Sequence, residues 1–235
     1  MKGLSYRTIW VEYPDIMDLC KHIGAPPTGT RDGAPLYTLP VIQDPAMGVV
    51  IAGSFTIAQH LDTAYPATQR VLPARTHALQ AAFAVHVVSL IRSSTHALAV
   101  LPIMQQLSPR SSEYFLRTRE KILGMPLQDV APEGPVRDAH WRASRAAFTD
   151  VHRWMEVNGE GNVFVMGDVP SFADVALASI LTWIKRMLGV DSVQWRELME
   201  ADGGRWSRLV QVFEKWEVVD EEGLTSATLS LTSEG

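Results

Sequence analysis

Between Pro35 and Pro66 the chain reads Pro-Leu-Tyr-Thr-Leu-Pro-Val-Ile-Gln-Asp-Pro and then, after three residues, Val-Val-Ile-Ala-Gly-Ser-Phe-Thr-Ile-Ala-Gln-His-Leu-Asp-Thr-Ala-Tyr-Pro. Two apolar, β-branched runs, 36–42 and 47–51, flank Gln43-Asp44-Pro45 and predict a strand, a turn and a second strand. A helix is expected over 54–65, with Ile57, Ala58, Leu61 and Tyr65 on one face and Ser54 as its N-cap. Pro40 falls inside the first strand. Proline has no N–H to give to a ladder, so a place within a strand needs a reason. A cis Leu39–Pro40 bond beside a binding site supplies one. An edge strand with a trans proline is the plain alternative.

The flanking segments fix the fold class. Residues 8–13 (Thr-Ile-Trp-Val-Glu-Tyr) predict a strand that ends at Pro14. Ile16, Leu19, Cys20 and Ile23 recur at helical spacing, and 24–33 is a Gly/Pro/Thr-rich loop. Beyond Pro66 helical periodicity takes over, at 75–107, 111–123, 136–157, 171–188 and 206–216. Trp141, Ser144, Phe148, Val151 and Met155 stripe the third of these. Val163–Met166 is the single candidate strand in this part. The expected chain is therefore α+β: a small β-containing half over 1–66, a break at 66–73, and an all-α half over 74–218. The acidic tail 219–235 reads as mobile.

Composition narrows the function classes. The net charge is −5 and no run of Lys or Arg occurs, so the clustered cations that neutralise phosphates are missing and no nucleic-acid partner is expected. A single cysteine, Cys20, permits no intrachain disulfide and suits a reducing compartment. The first seven residues lack an apolar signal core. The apolar stretch 79–107 is broken by His86, Arg92 and His96 and reads as a buried helix, so no membrane partner is expected. These features together predict a cytoplasmic protein.

Few residues carry chemistry. Ser54 opens a helix whose free N–H groups and partial positive charge suit a carboxylate, beside its plainer role as a cap. Ser171 and Asp174 form a capping box for the helix that follows, a folding role. His77, His86 and His96 lie nine and ten residues apart on scattered faces, and no metal site is expected. Cys20 reads as a small core residue.

The chain resembles the glutathione transferases. Several segments are similar to the fungal class related to bacterial β-aryl etherases: Lys2-Gly3-Leu4 with 6–16, Gly24-Ala25-Pro26-Pro27-Thr28-Gly29-Thr30, Asp32-Gly33, 37–42, 114–120 and Gly124-Met125-Pro126-Leu127. The resemblance implies a thioredoxin-like glutathione-binding domain over 1–66 and an all-α glutathione-transferase domain over 74–218. It implies that Leu39 and Pro40 meet the cysteinyl part of glutathione, that Ser54 meets the γ-glutamyl carboxylate, and that Gly53 lies beside it in the glutathione site. Gly53 stands where the family usually has an acidic residue for the ligand's ammonium group.

In the family a strand, a loop with the catalytic serine and a helix precede the Lys-Gly-Leu turn. The turn is at position 2 here, so this first βα unit reads as missing and no catalytic residue is assigned in this chain. A bare sheet edge beside 8–13 is expected as a consequence. Glutathione is the implied co-substrate, an aromatic small molecule such as an aryl ether or a polyphenol the implied second ligand, and a homodimer the implied assembly. Two alternatives stand beside a transferase: a non-catalytic binder of aromatic ligands, and an interaction module that uses the exposed edge.

Overall fold

Asp62, 5% exposed, is the residue around which the N-terminal segment closes. Its carboxylate pairs with Lys2 Nζ at 2.7 Å and accepts from the backbone N–H groups of Val71 and Leu72. The start and the end of the segment are thereby fastened to one helix. The computed structural model describes residues 1–218 and the strand Leu224–Thr225. Contacts divide it into two units. The first holds Met1–Leu72, Ser108–Tyr114 and the Leu224–Thr225 strand; the second holds Pro73–Leu107 and Phe115–Val218.

In the first unit, β1 (Ile9–Trp10) leads through a 3-10 turn into α1 (Ile16–His22). β2 (Gly29–Arg31) and β3 (Ala34–Leu36) form an antiparallel hairpin. Its turn is Asp32-Gly33, both at positive φ, the backbone that a two-residue hairpin loop requires. β4 (Val41–Asp44) and β5 (Val49–Ala52) pair antiparallel, with Val41 opposite Ala52 and Asp44 opposite Val49. The chain then enters α2 (Ser54–Ala64). Residues 36–42, expected as one strand, are two: Leu36 ends β3 and Val41 begins β4, with Pro40 in the gap. The missing N–H of proline interrupts the ladder there.

The buried Asp44 holds α2 on this hairpin. Its Oδ2 accepts from His60 Nε2 and from the Tyr65 hydroxyl, both at 2.8 Å. Nearby, Glu12 accepts from the hydroxyls of Ser108 and Ser111, and Arg110 makes a bidentate pair with Asp15. β1 pairs in parallel with β6 (Leu224–Thr225), Ile9 opposite Leu224 and Trp10 opposite Thr225. The edge expected to be bare is thus occupied in the described residues, and two residues of the expected mobile tail form a strand on it. An unpaired row of backbone groups is an acceptor site for any β-competent segment. The rest of 219–235 lies outside the described residues.

The second unit is helical. α3 (His77–Gln106) packs on α5 (Pro135–Glu156) and α6 (Phe172–Leu188), and α6 packs on α7 (Val193–Glu214). α4 (Pro109–Leu123) begins in the first unit and ends in this one. The core includes Val87, Ile91, Phe148, Val151, Leu177, Leu181, Ile184, Leu198, Trp206 and Leu209. The stripe foreseen on α5 is the buried one, with Ser144, Phe148, Val151 and Met155 inside. By length and composition α3 is apolar enough to cross a membrane, contrary to the sequence reading. Here it buries Val87, Ile91, Leu98, Ala99 and Val100.

α7 starts at Val193, well before the expected 206, because Ser192 caps it by accepting from the Trp195 N–H at 3.1 Å. Non-helical backbone at 201–204 then splits it, and this break hides the first half from periodicity. Residues 163–166 form no strand. An isolated bridge joins Phe164 to Gly167.

Asp174 is fully buried and accepts from Val165 N–H at 2.7 Å, and from Ser171 N–H and Oγ–H at 2.8 Å. Burial pushes its carboxyl up, against these bonds. Asp174→Ala would strand the buried Ser171 N–H and the half-buried Val165 N–H at about 1–3 kcal/mol each. The expected loss is about 3 kcal/mol in urea-unfolding free energy, and a loss under about 1 kcal/mol would contradict this role.

A second prediction concerns acid. Hydrogen bonds from His60 and Tyr65 lower the Asp44 carboxyl, and those from Ser108 and Ser111 lower Glu12. For Asp62 burial is the largest influence and raises it, but the bonds from Lys2, Leu72 and Val71 together prevail and leave it lowered. A carboxyl with a depressed folded pKa contributes stability that is present above its unfolded value, about 4, and lost as pH falls through the folded value. The thermal midpoint should be flat above about pH 5 and fall below about pH 4, and Asp62→Asn should shrink that acid slope.

Candidate functional site

The candidate site is built where β4 and α2 begin. The Leu39–Pro40 bond is cis. The Pro40 carbonyl accepts from the Gly53 N–H at 3.0 Å, which ties the residue before β4 to the residue before α2. Leu39 is 42% exposed, and among the described residues its N–H and C=O make no hydrogen bond to protein. A free donor and a free acceptor on one residue form the pair that an extended peptide uses to pair with a strand.

Gly53, not Ser54, is the N-cap of α2. The first helical bond runs from Ile57 N–H to Gly53 C=O at 2.9 Å. Gly53 has φ +89°, a backbone that L side chains rarely adopt, so it turns the chain out of β5 and into the helix at little cost. Ser54 is therefore the first helical residue. It is exposed, and its hydroxyl makes no bond to protein among the described residues. The first turn of α2 carries no acidic residue, so the positive end of the helix is uncompensated and favours a carboxylate.

Leu39, Pro40, Gly53 and Ser54 thus come together, and the Pro40–Gly53 bond sets their spacing. Sequence reasoning missed the supports behind them. Asp44, His60 and Tyr65 fix α2, but they lie sixteen and twenty-one residues apart and give no local signal. The Lys2–Asp62 pair spans the unit in the same way.

Other candidates are inert. Cys20 is 2% exposed, and burial pushes its thiol up, away from the reactive thiolate. Among the described residues no cluster of His, Cys, Asp or Glu could hold a metal ion. His152 accepts from Arg205 Nε at 2.8 Å, and this fully buried Arg205 also bonds Glu156 and the Asn162 carbonyl, which makes it a structural staple.

The architecture is a β-containing unit, with an open backbone pair beside a helix start that favours a carboxylate, followed by an all-α unit. The profile of the "Glutathione S-transferase, C-terminal domain" matches residues 78–216. The chain is 42% identical to the glutathione S-transferase CsGST63524 of Ceriporiopsis subvermispora, solved in complex with glutathione. The likeness covers 93% of this chain and 87% of that one, with a TM-score of 0.90. It is 39% identical to glutathione transferase GSTFuA3 from Phanerochaete chrysosporium over 93% of this chain and 86% of that one, with a TM-score of 0.87. It is 29% identical to the glutathione S-transferase-like protein ustS of Aspergillus flavus, over 92% of this chain and 79% of that protein. The chain belongs to the glutathione S-transferase family.

The turn at Gly53 yields a direct test. A Cβ there meets open space, Thr56 Oγ1 at 3.9 Å being nearest, so the penalty in Gly53→Ala comes from backbone conformation alone. The expected loss is about 1–2 kcal/mol of stability, with glutathione affinity reduced because the start of α2 is displaced. Calorimetric unfolding and titration on one sample check both parts.

Proposed function

We propose that Leu39, Pro40, Gly53 and Ser54 hold glutathione, and that the chain acts in the fungal etherase-like class of transferases on aromatic electrophiles such as aryl ethers and polyphenols. Leu39 N–H and C=O pair with the cysteinyl residue of the ligand. Ser54 and the N-terminus of α2 take the γ-glutamyl carboxylate. Gly53 provides no anion for the ligand's ammonium group. In the transfer step the glutathione thiolate forms a C–S bond to an electrophilic carbon, the C–O bond of an aryl ether breaks, and the phenolate leaves and takes a proton from water. Residues 1–66 form the glutathione-binding domain, 74–218 the all-α domain, and the protein works as a cytoplasmic homodimer.

The observation that carries this reading is the open backbone pair of Leu39, tied by the Pro40–Gly53 hydrogen bond to the start of α2. Fungal relatives of known structure with glutathione bound support it. Isothermal titration should show glutathione binding that weakens about tenfold in Ser54→Ala, the loss of one hydrogen bond to a charged group. Equal affinity of the two proteins would contradict the assignment of Ser54.

A further inference from the structure

The helical unit contains a cavity of its own, of about 730 Å³, within the range of small-molecule sites. It lies between the first turns of α3 and the 158–168 loop that joins α5 to α6. Its apolar walls include Leu79, Phe83 and Met166. Leu79 is 69% exposed and Met166 41%, so a ligand seated there would cover apolar surface now in water. The loop is held in shape from behind. Asn158 Nδ2 donates to the Val165 carbonyl at 2.7 Å, Asn162 Nδ2 donates to the Asn158 carbonyl at 2.8 Å, and Gly167, at φ +87°, closes a turn by donating to Phe164.

Gln80 points to a ligand. This lining residue is 2% exposed. Its Oε1 accepts from the Ala173 N–H at 2.8 Å, which fixes the other end of the amide as Nε2. Nε2 makes no hydrogen bond to protein among the described residues, and since no buried side-chain donor there is left unmatched, it is open to the cavity and free to donate to a ligand. Asp168, also lining the cavity, makes no ion pair among the described residues. Both lining asparagines use only their Nδ2 atoms as described, so their Oδ1 atoms remain acceptors. Among the described residues no lysine, arginine or histidine lines the cavity.

We propose that this cavity is a second binding site, for a small apolar molecule that carries hydroxyl or amino donors and no anionic group. The donors meet Asp168 and the asparagine oxygens, an oxygen or nitrogen of the ligand accepts from Gln80 Nε2, and the apolar body lies on Leu79 and Phe83. An anionic ligand would face Asp168 with no cation to offset it, which excludes glutathione and its conjugates from this site. The proposal does not rest on the glutathione reading of the first unit.

The test is titration of the isotopically labelled full chain with 2-naphthol and, separately, with naphthalene-2-sulfonate, followed by nuclear magnetic resonance. The expected result is saturable movement of the Gln80 side-chain amide and of the Gly167 and Asp168 backbone amides with 2-naphthol. The same movement should occur when glutathione is present in excess, and none with the sulfonate. Leu79→Asp, at an exposed position, should weaken 2-naphthol binding at least tenfold. Gln80→Glu, which keeps an oxygen for Ala173 and removes the donor, should do the same. Unmoved Gln80, Gly167 and Asp168 signals, equal movement with the sulfonate, or undiminished binding in both folded variants would overturn the proposal.

Discussion

A single hydrogen bond, from Gly53 N–H to Pro40 C=O, sets the geometry of the candidate site. It joins two loop residues, each just outside a regular element. By engaging the Pro40 carbonyl it leaves Leu39 as the residue with open backbone groups. By holding Gly53 at the end of β5 it directs the start of α2 to the same place. A donor–acceptor pair and a helix N-terminus are sequence-tolerant devices, because both are made of backbone. What the side chains add is support: Asp44 with His60 and Tyr65 behind α2, and Asp62 with Lys2 at its far end. These carboxylates are depressed by their partners, so the elements that carry the candidate site depend for their stability on ionised carboxylates.

The helical unit is stabilised differently. Its buried polar groups are few and satisfied within the unit. Thr95 and Ser144 share a hydrogen bond of 2.7 Å between α3 and α5, and Asp174 closes the start of α6. Such satisfied pairs fix which faces meet, while the area of Phe148, Leu181, Trp206 and their neighbours supplies the drive to pack. Gln80 departs from this pattern, with one end used to cap α6 at Ala173 and the other directed to the cavity.

Much of this was legible in the sequence because it depends on periodicity or on local chemistry. The stripe at Trp141, Ser144, Phe148, Val151 and Met155 located the buried face of α5, and Ser171 with Asp174 announced the start of α6. Pro40 and Ser54 marked the junctions at the starts of β4 and α2 by the constraints they place on the backbone. What was not legible depends on distant partners. Nothing near Asp62 signals that Lys2 will reach it, and nothing near Asp44 signals His60. Ser54 was read as the cap because serine favours that position, but the positive φ of Gly53 moved the cap back by one residue. The first half of α7 was hidden by the Gly203-Gly204 break, and β6 by the absence of any local sign of a partner strand.

The central claim is that glutathione is held by the open backbone of Leu39 and the start of α2. Amide chemical shifts of the full chain, followed as glutathione is added, address it directly. The account predicts that the largest changes fall on the N–H groups of Leu39 and Ser54, which gain ligand partners, and that both saturate with one common dissociation constant. Saturable glutathione binding that leaves these two signals in place and moves others would contradict it.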